Sequence, residues 1–277
     1  MKLKKLLEYD FIIDFQKVLV TNFEKELFIG SLRNYCSHGN PLRFHNFAFS
    51  MRELVLSIIE RRAPNDKVKA TSWYQVESDN FEVTRRQKLK FCAQGFLSDD
   101  FFDEYSLEDL NLTISEYLGK FRFFNKYTHI NEKSFKPCPK KFFEDMKNII
   151  QLSKNVIDEL SSIEELVISA VESNLEPTVF EAVVNNFPDD LSILAENVII
   201  EQTSPEELNI STINDRFISI YVDGTVYVSQ EYGGSEDFTS LPSNYPFSIE
   251  IYVSVNNPND ITVDVNNINV DTSSWYE

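Results

Sequence analysis

The sequence predicts an α+β chain: a mostly helical N-terminal domain followed by a small antiparallel β-rich domain. Three observations carry that expectation. Apolar residues recur every three or four positions through the first half of the chain. After Pro177 the spacing changes to strict alternation. The charge divides at the same region: of 26 basic and 44 acidic residues, only Lys154 and Arg216 among the basic ones follow Ser153, against 23 of the acidic ones. The first 153 residues thus carry about +3 and the rest about −21 of a net −18. The boundary is expected between 175 and 195, giving domains 1–176 and 177–277.

Leu3, Leu7, Phe11, Phe15 and Val18 form the first apolar stripe and predict a helix. The opening residues resemble a signal peptide, but Glu8, Asp10 and Asp14 break the apolar run, so an amphipathic helix is the expectation. A second stretch through Phe23, Leu27 and Leu32 is expected to end near His38, with Gly39 as its left-handed C-cap. Asn40 then serves as N-cap and Pro41 as the first residue of a helix that buries Leu54, Val55, Ile58 and Ile59 and stops at Ala63-Pro64. Residues 33–43 therefore read as a helix–tight turn–helix corner. Further helices are expected from Thr84, from Ser106 (with Asp109 as a capping box), and from Lys140 through Glu172. Residues 64–82 read as an irregular connection.

In the β-rich domain, Ile218, Ile220 and Val222, then Asp223-Gly224, then Val226 and Val228 read as a hairpin. Phe247 through Val255 and Ile261 through Val265 alternate in the same way.

Composition narrows the function classes. Hydrophobic content of 42% and aromatic content of 13% describe a globular protein. No stretch approaches 18 uninterrupted apolar residues, so no membrane span is expected. Three distant cysteines without a CxxC pair fit a reducing, cytoplasmic setting. With only 7 glycines there is no Gly-rich phosphate loop, and Cys36, His38 and His45 give no zinc spacing, so neither metal nor cofactor is expected.

The chemistry-bearing string is Arg33-Asn34-Tyr35-Cys36-Ser37-His38, R-N-x-x-x-H. Five residues of straight helix span about 500°, which would leave Arg33 and His38 about 140° apart. A helix end at Gly-Asn-Pro, or a second copy facing the first, is needed to bring the two types together. At such a corner His38 would move protons, Arg33 would hold developing phosphorus charge, and Asn34 would orient the phosphate. Arg43 and Asn40, at the start of the next helix, would bind the phosphate. The basic clusters Arg61-Arg62, Arg85-Arg86, Lys88 and Lys90, and Lys140-Lys141 offer a surface that a phosphate backbone can approach.

This motif at a helix end resembles the signature of HEPN ribonucleases, helical domains that dimerise so that two motifs build one site. The longer strings RNYCSHGNPLRFHNFAFSMREL, TRRQKLKFCAQGFLSDDF and KYTHI are similar to bacterial proteins described as predicted pPIWI-associating nucleases. Gly233-Gly234-Ser235 and Tyr245-Pro246-Phe247 extend that similarity faintly into the β-rich end. The resemblance implies a metal-independent endoribonuclease of bacterial defence, a homodimer acting on RNA, with a defence-system partner protein. Arg33, Asn34 and His38 carry over as its catalytic residues. Two alternatives stand beside it. One is a non-catalytic helical module that binds nucleic acid or protein. The other places a nuclease site in the β-rich domain at Asp223, Glu231, Asp260 and Asp264. Core or capping roles are expected for His45 and His129.

Overall fold

The computed structural model describes residues 2–132, 135, 137–158, 163–233 and 237–276. Contacts divide the chain into two compact units. One comprises Met1–Gly95 with Asp103–Ile163, the other Phe96–Phe102 with Glu164–Glu277. Gly234 and Ser235 lie outside the described residues.

The first unit is helical. The opening stripe forms two helices, α1 (Leu3–Leu6) and α2 (Asp10–Lys17), not one. Helix α3 (Asn22–Cys36) begins at a capping box, in which Thr21 Oγ1 accepts from Glu24 N and the Glu24 carboxylate accepts from Thr21 N. Helix α4 (Arg43–Arg62) stops before Pro64 as expected, and it buries Leu54, Val55, Ile58 and Ile59. A short helix α5 (Asn65–Lys69) forms inside residues 64–82, which the sequence reads as wholly irregular. Helix α6 (Arg85–Gln94) starts at Thr84 as expected, and a Thr84–Gln87 capping box that the sequence reading did not name closes its first turn. Helix α7 (Glu104–Thr128) begins two residues earlier than expected. Asp103, not Ser106, caps it by accepting from Ser106 N at 2.7 Å; a carboxylate accepts better than a hydroxyl at a helix start. Helix α8 is Pro139–Asp158.

An aromatic cluster fills the centre of this unit. The Phe142 ring lies 4.3 Å from Phe44, 4.9 Å from Tyr127, 5.1 Å from Phe123, 5.9 Å from Phe47 and 6.1 Å from Tyr35. Such offset and edge-on pairs give α3, α4, α7 and α8 one shared packing position. His45, 3% exposed, belongs to the same core: its Nδ1 donates to the Tyr127 carbonyl at 2.7 Å.

The second unit contains helix α9 (Ile163–Asn185), α10 (Asp189–Ser192) and five strands: β1 (Asn197–Ile213), β2 (Phe217–Tyr232), β3 (Thr239–Ser254), β4 (Ile261–Val263) and β5 (Asn269–Val270). All pair antiparallel in the order β1-β2-β3-β4, with β5 also on β3. Helix α9 runs through Pro177 and buries Val167, Val171, Leu175, Val179 and Val183 as a stripe of period four. Asn174 on Asn259 of the β3–β4 turn, and Gln202 of β1 on Glu176, tie it to the sheet. Residues 96–102 return to this unit: Leu97 and Phe101 are buried, and Ser98 N donates to Val255 O at 2.8 Å.

The expected hairpin at Asp223-Gly224 does not form. Strand β2 passes straight through it, and Gly224 pairs with Pro205 of β1 at a bulge. A Cβ at Gly224 would lie 2.2 Å from the Ser204 carbonyl oxygen. The glycine therefore serves a close backbone approach, not a turn.

Candidate functional site at the α3–α4 corner

The corner forms, with geometry that differs in detail from the sequence expectation. Helix α3 ends at Cys36, so His38 lies beyond the helix, in the turn. Gly39 is not left-handed; among the described residues only Gly95 and Gly233 are. The chain reverses instead through an inverse γ-turn at Ser37, closed by His38 N donating to Cys36 O at 3.0 Å, and a bridge-region conformation at Leu42. Helix α4 starts at Arg43, two residues later than Pro41, because Asn40 folds the intervening residues into a turn. Its side-chain oxygen accepts from Leu42 N at 2.9 Å and its carbonyl from Arg43 N at 3.2 Å. Two backbone donors that a phosphate would otherwise use are thus held by Asn40.

Arg43 leans back across the turn. Its guanidinium lies 4.4 Å from the Phe44 ring centre, and Nη1 contacts His38 Nδ1. A guanidinium has only donors, so Nδ1 accepts and the proton of the neutral imidazole is on Nε2. The His38 side chain is exposed. Arg33, on the last turn of α3, is also exposed and makes no side-chain hydrogen bond or ion pair among the described residues. Asn34 turns toward α4: its Nδ2 donates to Ser50 Oγ at 3.5 Å, and Ser50 Oγ donates to Asn46 O at 2.8 Å. The structure therefore brings His38 and Arg43 together and sets Asn34 and Asn40 to bracing the corner.

Tyr35 anchors the corner from below, with rings of Phe44 and Phe47 at 5.9 and 5.7 Å. Burial pushes its phenol up to about 12, against the opposing charge of Arg43, so it is neutral at physiological pH. Burial likewise raises the Cys36 thiol, and it pushes the Cys92 thiol up to about 12, which makes both poor nucleophiles. Cys138 is exposed, and backbone N–H groups of Lys141 and Lys140 lower its pKa.

Most of the basic clusters turn out to be internal braces. Arg61 pairs with buried Glu24, Arg85 lies over Phe121, Arg86 bonds Asn111 and Ser115, Lys88 pairs with Glu60, and Lys90 lies over Trp73. Sequence reading missed the Arg43–His38 contact and the aromatic anchor, since both join residues through the turn or across helices.

The carboxylates of the β-rich part do not converge. Asp223 and Glu231 are eight residues apart on one strand, a span of about 26 Å. Asp264 caps the turn at Asn266 and Asn267. Among the described residues no three His, Cys, Asp or Glu side chains are grouped to hold a metal ion. No helix among them is long and apolar enough to cross a membrane.

A helical unit with a histidine–arginine corner, joined to an antiparallel β unit, defines the class. Two family models, both described as predicted pPIWI-associating nuclease, match it over residues 16–153 and 160–276. The chain belongs to the predicted pPIWI-associating nucleases. No curated protein and no solved structure matches it.

Proposed function

We propose that the chain is a metal-independent endoribonuclease of the HEPN type, acting as a homodimer in bacterial defence, with its site at the α3–α4 corner. The observation that carries this reading is the Arg43 guanidinium set against His38 Nδ1, with Arg33, which has no side-chain partner among the described residues, on the last turn of α3. The family description supplies the nuclease class.

Phosphate-backbone cleavage without a metal needs a base for the 2′-OH, an acid for the leaving 5′-oxygen and cations for the charge on phosphorus. An arriving phosphodiester competes for the Arg43 guanidinium. Once Arg43 turns to it, the Nδ1 lone pair of His38 takes the 2′ proton in place of the guanidinium hydrogen bond. The 2′-oxygen then attacks phosphorus, and the 5′-oxygen leaves with the extra proton of a second copy's His38, which enters the step as imidazolium and ends it neutral while the first His38 ends it as imidazolium. The products are a 2′,3′-cyclic phosphate and a 5′-hydroxyl. Arg33 contributes its charge to the pentacoordinate oxygens.

Purified full-length protein incubated with total RNA tests this directly. Cleavage is expected to persist in EDTA and to leave 2′,3′-cyclic phosphate ends. His38→Ala and Arg33→Ala are each expected to lower the rate by about 10² or more while circular dichroism stays unchanged. Cleavage that vanishes with chelator and returns with Mg²⁺ overturns the reading.

A further inference from the structure

Strand alternation gives the sheet one buried face and one open one. Ile218, Ile220, Val222, Ile249, Ile251 and Val253 point inward. Phe217, Tyr221 and Tyr227 alternate with them and remain 37%, 49% and 39% exposed. The register sets Tyr252 beside Ser219 and Thr262, and Glu250 beside Tyr221, on this same outer face. At one end lies a hollow of about 390 Å³ lined by Phe217, Tyr252, Ser254, Asp260 and Thr262. The Phe217 and Tyr252 rings meet edge to face at 5.2 Å and 78° to form its wall.

Charge decides what fits there. This unit holds one basic residue, Arg216, against 23 Asp and Glu. Glu250, Asp260 and Asp264 have no basic partner among the described residues. Partial burial raises the Tyr252 phenol, and the adjacent charges of Glu250 and Asp264 raise it further. A nucleic-acid backbone is repelled by such a surface. A cation is attracted twice, by the ring faces and by the carboxylates. A planar guanidinium can stack on a ring while its N–H groups reach a carboxylate, which an ammonium does less well.

We propose that this hollow is a docking site for an arginine side chain presented by a basic segment of a partner protein. The site is independent of the nuclease reading, since it shares no residue with the α3–α4 corner.

The test uses the full-length chain and a fluorescent peptide of alternating glycine and arginine, with a lysine counterpart, at about 0.15 M salt where diffuse attraction is screened. The arginine peptide is expected to bind about threefold or more tightly than the lysine one. Asp260→Asn and Phe217→Leu are each expected to weaken it about fivefold or more, while Asp190→Asn, the same charge change on α10, leaves it unchanged. Among the described residues the Asp260 side chain makes no hydrogen bond, and its backbone supplies the local turn, so Asp260→Asn keeps the fold. Equal losses in Asp190→Asn and Asp260→Asn overturn the proposal in favour of diffuse attraction. Undiminished binding in Asp260→Asn overturns it as well. Loss of peptide binding in about 1 mM Ca²⁺ or Mg²⁺ overturns it in favour of a metal site.

Discussion

Glu24 is 1% exposed and still charged, because donors surround it. Val20 N and Thr21 N donate to it at 2.9 and 3.2 Å, and Arg61 donates from Nε and Nη2 at 2.7 and 3.2 Å. Burial alone would push the carboxyl up; the guanidinium and the backbone N–H groups outweigh it and hold the pKa below its ordinary 4.5. A depressed folded pKa means that the stabilisation is fully present above about pH 4.5 and is lost as pH falls through the lower folded value. Glu24→Gln is therefore expected to cost about 2 kcal/mol at pH 7 and to lose less on acidification than the wild type. Urea unfolding at pH 7 and pH 4 reads both; identical acid sensitivity would contradict the ion-pair account. At the corner, Arg43→Lys keeps the charge but loses the flat face that stacks on Phe44 and the fork that reaches His38. Its RNA cleavage rate is expected to fall about tenfold with the melting temperature unchanged.

Two glycines test which elements turn and which run straight. Gly39 sits between α3 and α4, where a turn glycine is expected, yet its φ is not in the left-handed region and a Cβ would meet nothing within 4 Å. Gly39→Ala should thus be neutral or stabilise by about 0.5 kcal/mol through loss of unfolded-state freedom. Gly224 lies inside β2, where a Cβ would strike Ser204 O at 2.2 Å and the Phe247 ring at 2.9 Å. Gly224→Ala should destabilise by about 2 kcal/mol or more, since β1 must move to make room. Thermal melts of the two variants decide this, and the opposite order would mean that the Asp-Gly pair does turn. The reversal of roles has a physical origin. Asn40 closes the corner with its own side chain, which relieves Gly39 of that task, while the Pro205 bulge forces β1 onto β2.

On the scale of the whole chain, the β unit takes in residues 96–102 from between two helices of the other unit. A fragment of residues 164–277 lacks Leu97 and Phe101, whose side chains are 0% and 4% exposed, and the Ser98–Val255 hydrogen bond. Burial of that size is worth about 2 kcal/mol per side chain. The fragment is expected to melt below the full chain's β-rich transition, and a synthetic 96–102 peptide should raise its melting temperature. A fragment as stable as the full chain, and indifferent to the peptide, would show that the segment does not support the sheet.

Legible along the chain are the helical first part, the antiparallel second part, the stop at Ala63-Pro64, the helix start at Thr84, strand β3 and the position of the R-N-x-x-x-H corner. Each depends on local periodicity, capping chemistry or proline geometry, which neighbours in the chain specify. Strand β1 was hidden because Pro205 and four glutamates (201, 206, 207 and 196 just before it) read as loop, and it becomes a strand only by pairing along β2. Helix α9 continues through Pro177 because its buried stripe outweighs one missing backbone donor. The return of residues 96–102 to the sheet, the tautomer of His38 and the company it keeps with Arg43 were settled by tertiary structure alone. Those depend on which surfaces meet across tens of residues, and no spacing along the chain records that.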